Sequence, residues 1–223
     1  MRLGIIVAMQ KEYSMLLRSL TVVNENEECA QCVTKNGTDI FLVKSGIGKV
    51  NAAMSACKLI EQYGVTHIIS TGCAGGANVS VEVSDVIVGN SYCYHDVWCG
   101  EPNANGQVQG MPAVFPSCFG EFTFPNEPNV KVGTIASGDW FVTTGEKMMR
   151  IINYLPACYN VMAVDMESAA IAQVCYKLGV KFMAVRVISD NPLLPNQPKQ
   201  YDGFWNDLAM LSFDFISAIL NKI

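Results

Sequence analysis

The stretch Phe182-Met-Ala-Val-Arg-Val-Ile-Ser-Asp190 decides the fold, because it is a nearly continuous apolar run that ends in a carboxylate. Such a run is typical of a buried strand in a parallel sheet. Upstream, Val164-Asp-Met-Glu167 opens an alanine-rich helical stretch, so the chain runs strand end, helix, strand. That order brings Glu167 and Asp190 to the same edge of a sheet, where α/β proteins place their chemistry.

Strands and helices alternate along the rest of the chain. Apolar runs predict strands at residues 3–7, 40–43, 67–71, 86–88, 130–136 and 181–188. Apolar residues at three and four spacing predict helices at residues 11–20, 50–63, 146–154, 166–178 and 205–221. Residues 98–129 and 191–201 are predicted to be long loops that act as lids or partner contacts. We expect a single α/β domain over residues 1–223, with a central mixed, mainly parallel sheet.

Composition limits the class of partner. The chain of 223 residues has a net charge of −5 and no run of Lys or Arg longer than two, which excludes a nucleic-acid or anionic-membrane footprint. No stretch approaches the ~18 apolar residues of a membrane span, and the first apolar run is too short for a signal peptide. Nine scattered cysteines indicate reduced thiols, and Cys29-Ala-Gln-Cys32 is interpreted as two thiols in a hairpin or edge strand rather than a zinc site. We therefore expect a cytoplasmic protein with a small partner.

Three glycine-bearing turns follow predicted strands. Ser45-Gly-Ile-Gly48 lacks the third glycine of a dinucleotide fingerprint. Thr71-Gly-Cys-Ala-Gly-Gly76 needs its glycines if the backbone approaches a neighbour or adopts positive φ, and a tight turn explains it as well as a ligand does. After Ser137-Gly-Asp139, the aromatic residues Trp140 and Phe141 could pack in the core or cover a flat ligand. The pattern alone favours the core.

Seven short motifs together resemble one family. They are Gly4-Ile-Ile-Val-Ala-Met-Gln-Lys-Glu12, Lys44-Ser-Gly-Ile-Gly-Lys-Val-Asn-Ala52, Thr71-Gly-Cys-Ala-Gly-Gly76, Tyr94-His-Asp96, Ser137-Gly-Asp139, Val164-Asp-Met-Glu-Ser168 and Val187-Ile-Ser-Asp190. In this order and spacing the chain resembles the 5′-methylthioadenosine/S-adenosylhomocysteine nucleosidases of the purine nucleoside phosphorylase superfamily. The resemblance covers nearly the whole chain and fails only at residues 29–39, in the loop after Trp98 and in the proline-rich loop.

The resemblance implies a nucleoside phosphorylase-like fold, with a partly barrel-like sheet flanked by helices, in a cytoplasmic homodimer of methionine salvage. It implies hydrolysis of the N-glycosidic bond of 5′-methylthioadenosine and S-adenosylhomocysteine, with 5′-deoxyadenosine as a further candidate. The family needs no cofactor and no metal, so the expected partners are small adenine nucleosides. Breaking this bond requires a proton on the leaving purine and stabilisation of an oxocarbenium-like ribosyl centre that water captures.

The resemblance also assigns the catalytic roles. Asp190 is implied to be the general acid that protonates adenine N7, and Ser189 to hold it in place. Glu12 matches the carboxylate that activates water, with Arg186 as its orienting partner. In isolation, Glu12 would be interpreted as an ordinary acid at a helix N-terminus.

The remaining site residues are implied to bind the substrate. Glu167 would accept hydrogen bonds from the ribose hydroxyls, although the pattern alone is also typical of a plain core helix. Phe141 would stack on adenine, while the Val142 backbone reads the ring edge. Further implied contacts with the base, the ribose and the 5′ group come from Met9, Ile47, Ala74, Gly75, Met166 and Tyr201.

Departures from the family leave the 5′ preference open. Cys73 stands for a common serine, Asp165 for a glutamate and Tyr201 for a phenylalanine, and loop 98–109 is shorter. Asp165 is one methylene shorter, so any supporting bond that it makes is repositioned.

Two alternatives to hydrolysis would require different residues. A phosphorylase needs fixed positive charge for phosphate, typically an arginine before the glycine turn, where this chain has Ser70. A non-catalytic nucleoside-binding module would not require Glu12, Glu167 and Asp190 together. Hydrolysis is therefore the favoured prediction.

Overall fold

Strands and helices alternate through residues 1–124, 127–195, 209–220 and 222, the part of the chain that the computed structural model describes. The elements in this part are β1 (Arg2–Val7), α1 (Gln10–Arg18), β2 (Thr21–Glu25), β3 (Ala30–Val33), β4 (Asp39–Lys44), α2 (Lys49–Tyr63), β5 (His67–Gly76), β6 (Val86–Tyr94), β7 (Phe115–Pro116), β8 (Val130–Ser137), α3 (Gly145–Tyr154), β9 (Val161–Asp165), α4 (Ser168–Leu178), β10 (Lys181–Asp190) and α5 (Ala209–Leu220). The predicted α/β alternation is confirmed.

The central sheet closes on itself. Strand β5 pairs in parallel with β10 on one side, while on the other side its first half pairs with β1 and its last two residues pair with β9. Because β5 changes neighbours, β10, β6, β8, β9 and β5 form a closed five-stranded ring, from which β1, β4, β3 and β2 extend. The mixed, partly barrel-like sheet is therefore confirmed.

Helices cover both faces of the sheet. Helices α2 and α4 pack against each other over one apolar cluster, and α1 and α5 contact each other over a second cluster on the opposite face. Gly64 and Gly179 end α2 and α4 in the left-handed conformation, which glycine adopts without a steric penalty. None of the described helices is both long and apolar enough to span a bilayer.

The boundaries differ from the predictions where tertiary contacts compete with local pattern. Helix α4 begins at Ser168 rather than 166, because Glu167 has a non-helical conformation at its N-cap. Residues 30–33 form a buried strand in the β2–β3 hairpin, within the predicted hairpin or edge region. The described part of loop 98–129 contains the short strand β7. Residues 125–126, 196–208, 221 and 223, which include parts of both long loops and of the last predicted helix, lie outside the described residues.

Candidate active site

A cavity lies where the carboxyl ends of β1, β5 and β10 meet, because these three strands are parallel. Strand β9 reaches the same place, since Val164 pairs with Gly75. The cavity has an empty volume of about 800 Å³, including its mouth. Every predicted site residue that the structure describes lines it, namely Met9, Glu12, Ile47, Ala74, Gly75, Phe141, Val142, Met166, Glu167, Arg186, Ser189 and Asp190. Tyr201 lies outside the described residues.

Glu12 is held by backbone donors. It lies in the first turn of α1 and is 2% exposed. Its Oε2 accepts the N–H groups of Ala8 at 3.0 Å and Met9 at 2.9 Å, and its Oε1 accepts that of Cys73 at 3.2 Å. Burial raises the pKa of Glu12 even though these bonds act in the opposite direction. The residue is therefore both a helix N-terminal acid and a carboxylate fixed at the cavity wall.

The glycine-rich segment Thr71–Gly76 is the second half of strand β5 rather than the predicted turn after a strand, and close approach of side chains explains its glycines. A Cβ atom on Gly72 would lie 2.6 Å from Glu12 Oε1, and one on Gly76 would lie 2.9 Å from Asn191 Nδ2. Both distances are too short for a methyl group, so these positions require glycine for contacts within the protein. Gly72 lines the cavity whereas Gly76 does not, and the glycine pattern was the sequence signal for both positions.

Arg186 lines the cavity but makes no hydrogen bond with Glu12 in the described part of the chain, so an orienting role would act through its charge. Its guanidinium is buried and donates to Asp165 Oδ2, Ser70 Oγ and Ser168 Oγ at distances of 2.8 to 2.9 Å. Its remaining hydrogen bond in the described part of the chain goes to the Val185 carbonyl, so all of the hydrogen bonds that the guanidinium donates there go to partners other than Glu12. Its positive charge still acts across the cavity and opposes the burial that raises the pKa of Glu12.

Asp165 was not among the predicted site residues, yet it lines the cavity and its hydrogen bonds hold several neighbouring residues in place. Besides Arg186, its carboxylate accepts hydrogen bonds from the hydroxyls of Ser137 and Ser168 and from the Ser168 backbone N–H. A buried carboxylate requires such partners. The bonds fix the turn from β9 into α4, which carries Met166 and Glu167. In the sequence, Asp165 was marked by a charge at the end of an apolar run and by its place where the family has a glutamate.

Glu167 faces the cavity from that turn. It is 8% exposed, and its Oε1 accepts the Gly48 N–H at 2.9 Å. Burial, with the neighbouring Asp165 charge as a second cause, raises the pKa of Glu167 to about 7. The interpretation as a plain core residue is thus wrong for its side chain, which links β9 to the turn after β4.

Asp190 ends β10 beside Ser189. The pairing of β10 with β5 shifts register between Ile188 and Asp190, which places Asp190 opposite Gly75. The Ser189 hydroxyl donates to Asp190 Oδ1 at 2.6 Å, as predicted, and both residues are buried. The bulge therefore delivers a carboxyl group with a fixed hydroxyl neighbour to the cavity.

Two aromatic residues border the cavity on the side opposite the sheet. Trp140 and Phe141 follow β8 in an irregular segment and are 49% and 59% exposed. The prediction from pattern alone, that they pack in the core, was wrong, because apolar sequence does not distinguish a core from a cavity lining. Their exposed faces suit a flat ring.

In the described part of the chain, no group of three or more His, Cys, Asp or Glu residues is arranged to hold a metal ion.

Comparisons with known proteins agree with this geometry. A family model described as the phosphorylase superfamily matches residues 2–221. A Bacillus cereus (strain G9842) protein named 5′-methylthioadenosine/S-adenosylhomocysteine nucleosidase is 37% identical, with 100% of both chains covered. A Streptococcus pneumoniae nucleosidase of the same name, solved with the transition-state inhibitor MT-ImmA, gives a TM-score of 0.89 at 30% identity over 99% of each chain. The Colwellia psychrerythraea nucleosidase, solved with adenine, gives 0.84 at 30% identity over 100% of this chain and 95% of that one.

Proposed function

The chain belongs to the phosphorylase superfamily and, within it, to the 5′-methylthioadenosine/S-adenosylhomocysteine nucleosidases, and on this premise we propose that it hydrolyses the N-glycosidic bond of these two nucleosides. The products are adenine and the 5-substituted ribose. The observation that carries the proposal is the convergence of Glu12, Glu167 and Asp190 on one cavity bordered by aromatic faces.

Departure of adenine requires a proton, and Asp190 is the proposed donor. As the C1′–N9 bond breaks, its electron pair moves into the purine, and protonation at N7 gives neutral adenine. The Ser189 hydroxyl, 2.6 Å from Asp190 Oδ1, holds the carboxyl group in one orientation. Such positioning matters because misplacement by about 1 Å can cost on the order of a hundredfold in rate.

The ribosyl centre that remains carries positive charge, and the cavity offers negative groups around it. Glu167 accepts hydrogen bonds from the ribose hydroxyls, and the Met166 backbone lies against the sugar. Glu12 faces the same cavity from α1. Fixed carboxylates in a site that excludes water stabilise a developing cation far more than they would in solution.

Water completes the reaction with Glu12 as its base. The water oxygen forms the new bond to C1′, and its proton passes to the Glu12 carboxylate. The three backbone N–H donors to Glu12 fix both oxygens and favour the ionised form that accepts a proton. Arg186 supports that ionised form through its charge rather than through a hydrogen bond.

The remaining lining residues account for recognition. Phe141 stacks on adenine, the Val142 backbone reads the ring edge, and Ala74 with Gly75 lines the base and ribose region. Met9 and Ile47 line the sugar pocket. We also propose that Tyr201 covers the 5′-thio group, as its position in the family implies. 5′-Deoxyadenosine would lack the contacts of that group but keep those of the base and ribose.

Phosphorolysis is disfavoured by the charges at the cavity. Arg186 is the only Lys or Arg that lines it in the described part, and its guanidinium is committed to Asp165 and two serine hydroxyls. Glu12 would repel phosphate and suits water instead.

The biological setting is also proposed from the family. We propose one nucleosidase domain over residues 1–223 that acts as a homodimer in the cytoplasm and in methionine salvage. Exposed Ile47, Val50 and Met54 recur at helical spacing beside the cavity, which supports an interface there. All nine cysteines are free thiols, as a reducing compartment would leave them.

Adenine release tests the function directly. The protein, dialysed against chelator and free of phosphate, is incubated with 5′-methylthioadenosine, and adenine and sugar are quantified by chromatography. We expect equal amounts of adenine and 5-methylthioribose. A requirement for phosphate, or a sugar 1-phosphate as product, would show that the hydrolase assignment is wrong. S-Adenosylhomocysteine and 5′-deoxyadenosine in the same assay determine the preferred 5′ group.

A further inference from the structure

Three motif residues that have no role in the reaction meet behind the cavity wall. Lys49 begins α2, Asp96 follows β6, and Asp139 follows β8. They come from distant parts of the chain, and none of them lines the cavity. Charged groups that converge from three elements next to an active site require an explanation beyond solubility.

Asp96 and Lys49 form the centre of this cluster. Asp96 Oδ2 accepts a hydrogen bond from Lys49 Nζ at 2.7 Å and from the Asp139 backbone N–H at 2.9 Å. The Lys49 backbone N–H donates to Asp139 Oδ1 at 2.9 Å. The side chains of Lys49 and Asp96 are only 24% and 12% exposed, so this pair is less screened than a surface pair.

Tyr94 and His95, which precede Asp96 in its motif, limit the movement of the Lys49–Asp96 pair. Lys49 Nζ lies 5.5 Å from the centre of the Tyr94 ring, whose hydroxyl donates to Gln173 on α4. His95 is buried, and in the described part of the chain its two ring nitrogens have no hydrogen-bond partner. Its imidazole packs against Gly138, where a Cβ atom would lie 2.4 Å from His95 Cε1. The motif therefore contacts both sides of the cluster. Lys49 is contacted by Tyr94 and Asp96, and the start of the segment after β8 is contacted by His95 and Asp96.

The cluster is connected to two different walls of the cavity, one through Asp139 and the other through Lys49. Asp139 is the second residue of the base-side loop, residues 138–144, which carries Phe141 and Val142. Lys49 follows directly after Gly48, whose N–H donates to Glu167 Oε1 at 2.9 Å. A rigid link between Lys49 and Asp139 therefore fixes the proposed adenine wall relative to the proposed ribose carboxylate.

We propose that Asp96 and Lys49 are positioning residues that couple the base-side loop to Glu167, so that adenine and ribose are held in one geometry. The coupling rests on the proposed function only for the identity of the substrate. Neither residue touches the reacting atoms. The pair acts through Asp139 on the loop and through Gly48 on Glu167.

The test uses the whole protein with Asp96→Ala, Asp96→Asn and Lys49→Met, and with Lys58→Met as the matched control. Lys58 lies on the same helix and pairs with Glu28, but both side chains are largely exposed, at 45% and 61%. The Kd of adenine reports the base side of the cavity, to which the base-side loop belongs and Glu167 does not, whereas kcat for 5′-methylthioadenosine also reports Glu167. Circular dichroism and the melting temperature show whether each variant is folded.

We expect Asp96→Ala and Lys49→Met each to weaken adenine binding, raise KM and lower kcat by about tenfold, the loss typical of one charged hydrogen bond. Asp96→Asn keeps an acceptor for the Asp139 N–H and should lose less. Lys58→Met should leave all three values within about twofold, as an exposed pair does.

A lower melting temperature with unchanged Kd, KM and kcat would show a merely structural role and overturn the coupling. A change in adenine affinity without a change in kcat would also overturn it, because Glu167 would then be independent of the loop. A wild-type protein that releases no adenine would refute the proposed function instead, and the adenine affinities would still show whether the cluster positions the loop.

Discussion

Replacing Glu167 by glutamine should stabilise the protein while removing activity. Burial and the neighbouring Asp165 raise the pKa of Glu167 from 4.5 to about 7. The native state therefore binds more protons than the unfolded state between these values, and stability falls as pH rises through that window. Glutamine is neutral at every pH, and its amide oxygen can still accept the Gly48 N–H that Glu167 Oε1 accepts at 2.9 Å.

The magnitude follows from the same shift. One pKa unit corresponds to about 1.4 kcal/mol, and a discount for relaxation of the cavity leaves on the order of 1–2 kcal/mol at pH 8. For a chain of this size, that is roughly 2–8 °C in melting temperature. At pH 5 most of the gain should disappear, because Glu167 of the wild type is then protonated in the native state. Urea unfolding and thermal melts between pH 5 and 8.5 measure the difference.

Glu12→Gln is the matched control. Both Glu12 oxygens accept backbone N–H groups, so an amide would turn its NH₂ toward at least one donor. Leaving a buried donor unsatisfied costs about 1–3 kcal/mol, so we expect this variant to be less stable than the wild type. A Glu167→Gln gain that is absent at pH 8, or equally large at pH 5, would refute the electrostatic reasoning.

Three further predictions concern activity and stability. Asp190→Asn keeps the shape but not the proton, so kcat should fall by about 10²–10⁴-fold with the nucleoside Kd nearly unchanged; near-normal turnover would remove Asp190 from the acid role. Asp165→Asn leaves the buried Arg186 without its counter-charge and should lower the free energy of unfolding by about 3–5 kcal/mol in urea titrations, whereas an unchanged midpoint would contradict the proposed support. Phe141→Ala removes a 59% exposed side chain, so adenine affinity should fall while the melting temperature stays within a few degrees, and equal binding would exclude stacking.

Sequence reasoning placed Glu167 and Asp190 at one edge of the sheet, and both side chains line one cavity. The structural reason differs from the predicted one, because β9 runs antiparallel to β5 whereas β10 runs parallel to it, and the two carboxylates come together where Val164 and Asp190 both pair with Gly75. The closure of the ring could not be predicted in this way. It depends on β5 pairing with β1 at one end and β9 at the other, a register between segments far apart in the chain.

Arg186 shows where such reasoning stops. An arginine inside an apolar strand predicts a buried partner, yet Glu12, Asp165 and Glu167 were all available. The choice depends on which carboxylate lies within about 3 Å of the guanidinium, and that is set by the register of β10 on β5 and by the turn after β9. Trp140 and Phe141 show the same limit, because burial of an apolar side chain depends on what packs over it.

The pairing of Arg186 with Asp165 also explains why the cavity suits a cation in the transition state. Because Asp165 takes the guanidinium, the charges of Glu12 and Glu167 are only partly compensated, and burial raises the pKa of both groups. Burial therefore makes the ionised forms of these two carboxylates unfavourable, and a positive ribosyl centre beside them would offset part of that penalty. A neutral substrate relieves much less of it. The stabilisation is then larger in the transition state than in the ground state, which is the condition for raising the rate rather than merely tightening binding.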